Sequence, residues 1–280
     1  MTVITNNGKR VWGSFGPAVR DKIFSHGKII TKSAGVVCTV LLFALPSYAQ
    51  TRSPDAFIHA IDVMKRSVAP VMCAKPTGPN QVQPIFDGSA FFVSKRGDFL
   101  TDDHVLAQFD SGKPLAGCPS QIWFIKPSSE PSHFDGTRDD FDIDQCVRDA
   151  TADIARCRTR DDLTKFEGGK FSPLPVVIDS TKQADGTALA VTGFPLGTPF
   201  PISARGYVGG YESDARGPNI QLVIDRAAWP GGSGSPVFDV QGRVIGILQI
   251  SGENTASGIS FAASGFALAK FMGDHPFTTK

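Results

Sequence analysis

Residues 230–238 place one serine, Ser233, among three glycines, with Pro230 and Pro236 on either side. Glycine adopts backbone conformations that other residues resist. Successive N–H groups can therefore turn toward one point beside the Ser233 hydroxyl. A hydroxyl beside converging N–H donors suits acyl transfer. Such a nucleophile needs a base, and the base needs an orienting acid. The chain has five histidines. His26 lies in a basic N-terminal stretch, His59 in a short helical pattern, His133 in an acid-rich segment and His275 near the C-terminus. His104 follows Gly88–Thr101, which reads as two strands joined by an Arg-Gly-Asp turn. It thus sits at a strand end, on a rim where functional groups collect. Of the aspartates, Asp153 opens the apolar run Ile154–Cys157, where an acid can be buried and aimed rigidly. Asp149 is its nearest rival. Asp139–Asp144 reads as soft, solvated sequence, part of a long polar surface loop over Pro127–Asp144.

The elements that must position these residues are mostly strands. The 280 residues are 41% hydrophobic and 20% charged, enough for a sizeable core, and 29 Gly and 20 Pro punctuate them. That favours many short strands over long helices. Strand patterns fall at Val68–Cys73, Ser89–Ser94, Ile122–Lys126, Ile154–Arg158, Val176–Ile178, Ala188–Thr192, Ile202–Val208, Ile220–Ile224, Pro236–Phe238 and Val244–Ile250. So many strands suggest a barrel or sandwich pair. Ser53-Pro54 caps a short helix with Phe57, Ile58, Ile61 and Met64 on one side, and Phe266–Met272 reads as a terminal helix.

Residues 1–49 read as a leader. Six basic residues face one acid there, followed by the apolar run Gly35–Leu45 and the small-residue cleavage pattern ending at Ala49. This is the layout of a secretory signal peptide. The apolar run is short for a membrane span. Export to the periplasm or medium is therefore expected, with no stable membrane span once the leader is removed. The remaining chain is net acidic, which argues against a nucleic-acid surface. It keeps four cysteines, Cys73, Cys118, Cys146 and Cys157. An even count in an exported chain implies disulfides, with three pairings possible. Cys146 and Cys157 flank a plausible hairpin, which favours Cys146–Cys157 and leaves Cys73–Cys118. Asp140, Asp142 and Asp144 do not continue as a calcium loop, because Gln145 and Thr151 stand where Gly and Glu are required. Neither a metal nor a cofactor is expected.

Three segments carry a resemblance. Gly88–Val105 looks like the segment around the catalytic histidine of trypsin-like serine proteases, most of all the bacterial HtrA/Deg type. Asp149–Ala155 resembles the stretch bearing that family's catalytic aspartate, and Asp225–Pro236 resembles its nucleophile segment. Val191–Gly197 resembles a further family segment. The order His, Asp, Ser is that of the chymotrypsin fold and not of subtilisins or α/β-hydrolases. The resemblance spans about residues 65–272. It implies an all-β protein with two six-stranded antiparallel β-barrels, a short N-terminal helix and a C-terminal helix. The expected divisions are a protease domain over 50–280, with one barrel over about 68–165, the second over about 170–262 and the helix over about 264–273.

The same resemblance implies a serine endopeptidase acting on polypeptides through His104, Asp153 and Ser233. Gly231, Gly232 and Ser233 would form the oxyanion hole. Ala227, Ala228, Ser251, Gly252, Glu253, Gly258 and Ser260 would line the pocket for the substrate residue before the cleaved bond, P1. Ser251 would also support the aspartate. Gly232 departs from the family's Asp or Asn, which removes activation by a salt bridge to a new N-terminus and leaves the oxyanion loop free to collapse. No acid stands at the pocket base, so Arg or Lys at P1 is disfavoured and a small or medium apolar residue is expected. Asp225 and Arg226 read as a surface or packing pair and not as a specificity charge. A catalytically silent, protease-like binding module is the alternative. An α/β-hydrolase fits poorly, because Ser235 breaks its Gly-x-Ser-x-Gly elbow.

Overall fold

The computed structural model describes residues 55–78, 81–110, 120–127, 134–165, 173–213, 220–249 and 258–276. Twelve strands close into two antiparallel barrels of six. The first contains β1 (Val68–Gly78), β2 (Gln81–Phe92), β3 (Asp98–Thr101), β4 (Ser120–Pro127), β5 (Phe134–Asp149) and β6 (Ile154–Thr159), in the order β1-β2-β3-β6-β5-β4. The second contains β7 (Ala188–Gly193), β8 (Ile202–Ser213), β9 (Ile220–Ile224), β10 (Pro236–Phe238), β11 (Val244–Gln249) and β12 (Ser260–Ser264), in the order β10-β11-β12-β9-β8-β7. Closure leaves no open edge on either sheet. Helices α1 (Ala56–Lys65) and α3 (Gly265–Asp274) lie at the ends of the described chain, and α2 (Asp103–Asp110) follows β3.

Each barrel has its own core. Val71, Phe92, Phe99, Ile122 and Phe141 fill the first, and Leu189, Val208, Leu222, Val237 and Ala262 fill the second. A third cluster joins them. Phe91, Leu100 and Ile154 of the first barrel meet Phe194, Phe238, Val244 and Ile247 of the second, with Met64 of α1 and Leu268 of α3 packed in. Burying each such side chain is worth about 1.5–3 kcal/mol, so this shared core holds one barrel against the other. A strap of irregular chain reinforces it. Val176 N–H donates to Phe92 O at 3.1 Å, and Val244 N–H donates to Val177 O at 2.8 Å.

Several expectations change. Val176–Ile178 is this strap and not a strand: only Ile178 makes a bridge, a parallel one to Val244. Pro173 and Pro175 lack N–H donors, and the segment crosses between barrels instead of joining one. The supposed loop over Pro127–Asp144 is largely β5. Its apolar positions are sparse, but Phe141 lies opposite Ile122 and is buried. Helix α2 and strand β12 escaped notice. Alanine- and serine-rich β12 has little intrinsic strand preference, and pairing with β11 and β9 holds it in place. In α1 the cap is Asp55, whose carboxylate accepts the Phe57 N–H at 3.0 Å. Ile58 faces outward, 56% exposed, because Phe57, Ala60 and Met64 form the buried stripe. The leader, the Ser53-Pro54 start and the Cys73–Cys118 pairing fall outside the described residues or side chains. Cys146 and Cys157, directly opposed on β5 and β6, form a disulfide. Among the described residues no helix is long and apolar enough to cross a membrane.

Candidate active site

His104 sits in the first turn of α2, immediately beyond β3, and Asp153 in the turn between β5 and β6. Asp149 shapes that turn: its Oδ1 accepts the N–H groups of Thr151 at 2.9 Å and Ala152 at 3.0 Å. The rival acid is thus a turn-forming group. Asp153 has φ 53°, the left-handed region that aspartate enters more readily than most residues. Gln249, at the end of β11, donates its Nε2 to Ala152 O at 2.8 Å and Asp153 O at 3.1 Å, steadying the turn from the second barrel. The buried Asp153 carboxylate then accepts two bonds from one residue, His104 N–H and His104 Nδ1, each at 2.8 Å. An ionised carboxylate only accepts, so Nδ1 carries the proton and Nε2 presents its lone pair. Nε2 lies 2.9 Å from Ser233 Oγ. Asp102, His104 and Asp153 could on distance alone hold a cation, but both ring nitrogens are already engaged in this chain.

Ser233 lies in the loop before β10. Gly231 and Gly234 take φ of 85° and 81°, which only glycine adopts without strain. At Gly234 there is no room either: a Cβ would stand 2.0 Å from Ser89 O and 2.6 Å from Thr101 Oγ1. The loop is docked onto the first barrel by Ser89. Ser89 N–H donates to Ser233 O at 2.7 Å, and Ser89 Oγ donates to Gly231 O at 3.0 Å while accepting Phe194 N–H at 2.9 Å.

The loop, which Gly232 leaves free to collapse, is held open. Leu196, held at φ 57°, donates its N–H to Pro230 O at 2.6 Å. A trans peptide sets C=O and N–H on opposite sides. Anchoring the Pro230 carbonyl on Leu196 therefore turns the Gly231 N–H the other way. Among the described residues, the N–H groups of Gly231 and Ser233 donate to no acceptor. Gly232 differs from expectation, because its N–H donates to Trp229 O at 2.9 Å and is not free to meet a ligand.

Beside the loop is a cavity of about 200 Å³, lined by Val191, Pro195, Leu196, Ile202, Ala227, Ala228, Trp229, Leu248 and Ser260 among others. Pockets for drug-sized ligands start at about 300 Å³, so this one has the capacity of a single side chain. Of the expected lining, Ala227, Ala228 and Ser260 are present and Gly258 is not; Ser251, Gly252 and Glu253 lie outside the described residues. Arg226 lines the cavity without a carboxylate partner among the described residues. Its Nη1 donates to Arg205 O at 2.8 Å, and burial holds its guanidinium below the usual arginine range. The surface pair with Asp225 does not form. Ser89, Leu196 and Gln249 were missed by sequence reasoning. Only Gln249 carried a signal, a polar residue closing the apolar run Val244–Leu248.

Residues 88–247, more than half the chain, match the family model of the trypsin-like peptidase domain. The chain belongs to this family. It is 29% identical over 197 residues to "Probable periplasmic serine endoprotease DegP-like" of Rhizobium meliloti, covering 67% of this chain and 32% of the relative. It is 30% identical over 177 residues to a protein of the same name from Pseudomonas putida, covering 61% and 31%. The chain thus spans about a third of the length of the curated relatives it matches. Among solved structures, Deg5 shares the fold with a TM-score of 0.57 at 18% identity, over 77% of this chain and 91% of that one. A protease of M. tuberculosis in its active form shares it with a TM-score of 0.54 at 17% identity, over 81% and 88%.

Proposed function

We propose that this chain is an exported serine endopeptidase that cleaves polypeptides through Ser233, His104 and Asp153 and an acyl-enzyme. The observation that carries the reading is the unbroken path from Asp153 Oδ2 to His104 Nδ1 at 2.8 Å and from His104 Nε2 to Ser233 Oγ at 2.9 Å. Ser233 Oγ attacks the carbonyl carbon of the cleaved bond while Nε2 takes its proton. Asp153 stabilises the imidazolium so formed and holds its tautomer. The Gly231 and Ser233 N–H groups receive the charge developing on the carbonyl oxygen. The imidazolium returns its proton to the leaving amine, and water then resolves the Ser233 ester by the same route in reverse. These steps are the long-established scheme of trypsin-like proteases, applied to the residues of this chain. The apolar cavity of about 200 Å³ favours a small or medium apolar P1 side chain.

Export is supported by the leader-like residues 1–49 and by the periplasmic relatives. The catalytic reading is tested with a fluorophosphonate probe and a casein-derived peptide library. The wild-type chain is expected to label and to cleave after apolar residues. Ser233→Ala should lose labelling and lower kcat/KM by at least about 10⁴-fold with the fold intact. A folded wild-type chain that neither labels nor cleaves would instead be a protease-like binding module.

A further inference from the structure

The acid next to the histidine segment has no part in the scheme above. Asp102 is wholly buried at the end of β3, two residues before His104. Its Oδ2 accepts the N–H of Gly234, the residue after Ser233, at 2.8 Å. The same oxygen stands 3.9 Å from His104 Nδ1. We infer that Asp102 is a second carboxylate of the site, a positioning residue that ties the nucleophile turn to His104 and electrostatically favours the charged form of its ring; the inference rests on the triad proposed above.

Two physical points carry it. Holding the Gly234 N–H needs only an acceptor, and an asparagine oxygen would supply one without burying a charge. A buried carboxylate is costly unless something nearby uses the charge. The imidazolium that forms when His104 accepts the Ser233 proton lies within reach, and an opposite charge at about 4–6 Å shifts such an equilibrium by about 1–3 pH units. The second point is covalent and spatial. Asp102 belongs to the first barrel, Gly234 to the second. One carboxylate therefore sets the distance between base and nucleophile across the junction of the barrels.

His104 and Asp153 share the neighbourhood of Asp102, their ligand-type atoms within 4.8 Å of one another. Asp103 and Arg148 of β5 form a pair at 2.6 Å next in the chain. Gly234 contributes only its N–H, which the Leu248 carbonyl also accepts, at 2.9 Å. Asp153 makes both direct bonds to His104, so Asp102 acts from behind it, through field and through the turn.

The test separates charge from shape. Asp102→Asn keeps the side-chain acceptor for Gly234, whereas Asp102→Ala leaves its N–H only the Leu248 carbonyl, which it already shares at 2.9 Å. His104 ring-proton NMR titrations in the Ser233→Ala background need no catalytic activity. Asp102→Asn is expected to move the His104 midpoint to lower pH by about one unit. In the active chain the acid limb of kcat/KM should move the same way, with kcat about tenfold lower and KM little changed. Asp102→Ala should slow fluorophosphonate labelling further. If Asp102→Asn leaves the midpoint and the acid limb unmoved, Asp102 is only structural and the inference is overturned. If the midpoint moves but the wild-type chain cleaves nothing, the inference stands and the proposed function falls.

Discussion

The two barrels divide the work of the site unequally. The first presents side chains that carry charge or protons: His104, Asp153 and buried Asp102. The second presents the Ser233 hydroxyl and backbone N–H groups, in a glycine loop whose φ values of 85° and 81° only glycine takes without strain, beside an apolar cavity. The first is also braced covalently, by Cys146–Cys157 across β5 and β6. Proton chemistry needs groups fixed in angle, which strand ends and a turn cap supply. Anion binding needs aligned N–H groups, which only a close-fitting loop supplies. The proposed triad draws on both barrels, so the junction, with Ser89 at its centre, sets its geometry.

That division can be attacked at four points beyond Ser233. Gly234→Ala should do the most damage. A side chain there meets backbone at 2.0 Å and forces a strained φ. We expect destabilisation of about 2–6 kcal/mol from the overpacking and the strained φ together and loss of fluorophosphonate labelling, read by urea unfolding and by gel. Normal labelling would show that the barrels need not dock through this turn.

Opening the disulfide comes next. The bond spans 11 residues, and closing so short a loop is worth about 3 kcal/mol in the chain-entropy account. A Cys146→Ser, Cys157→Ser chain should unfold at lower urea yet label at an unchanged rate below its transition. A fall in labelling rate of the folded chain would place the brace inside the catalytic geometry.

Ser89→Ala leaves the Phe194 N–H and Gly231 O without their hydroxyl partner. The buried Phe194 N–H loses its partner at a cost of about 1–3 kcal/mol and the part-buried Gly231 O can turn to water, so a net destabilisation of about 2 kcal/mol is expected, with kcat falling more than KM rises. Equal effects on both would point to the cavity and not the junction.

The smallest effect concerns the strap. Burial pushes the Asp179 carboxyl up, but the Thr181 N–H and hydroxyl at 2.8 and 2.7 Å, and then Arg243 at 3.1 Å, hold it below the ordinary aspartate range. A lowered acid contributes stability that is fully present above its unfolded titration and is lost as pH falls through the folded one. Asp179→Asn should therefore narrow the difference in stability between about pH 5 and pH 2, measured by urea titration. An unchanged slope would remove Asp179 from the acid response.

Much of this was legible in the sequence because the residues concerned announce themselves by type. A lone histidine past a strand end, an acid opening an apolar run and a serine among glycines all stand out in one dimension. The strands of the second barrel are apolar and bounded by turn residues, and most fell where expected. What stayed hidden depends on partners far along the chain. β5 looked like a loop because its strand character comes from pairing with β4 and β6. Asp102 looked like any polar residue beside His104 until Gly234, 132 positions away, was found bonded to it. Leu196 gave no sign of holding a left-handed turn, since its N–H partner is Pro230 in another loop.

The Leu196 to Pro230 bond also has a kinetic consequence. A loop whose carbonyl is already anchored outward has little left to rearrange when a tetrahedral mimic arrives. Onset of inhibition by a peptide boronic acid should then follow a single exponential whose rate rises linearly with inhibitor concentration. Time in this site would be spent on encounter, with no waiting for the loop to open.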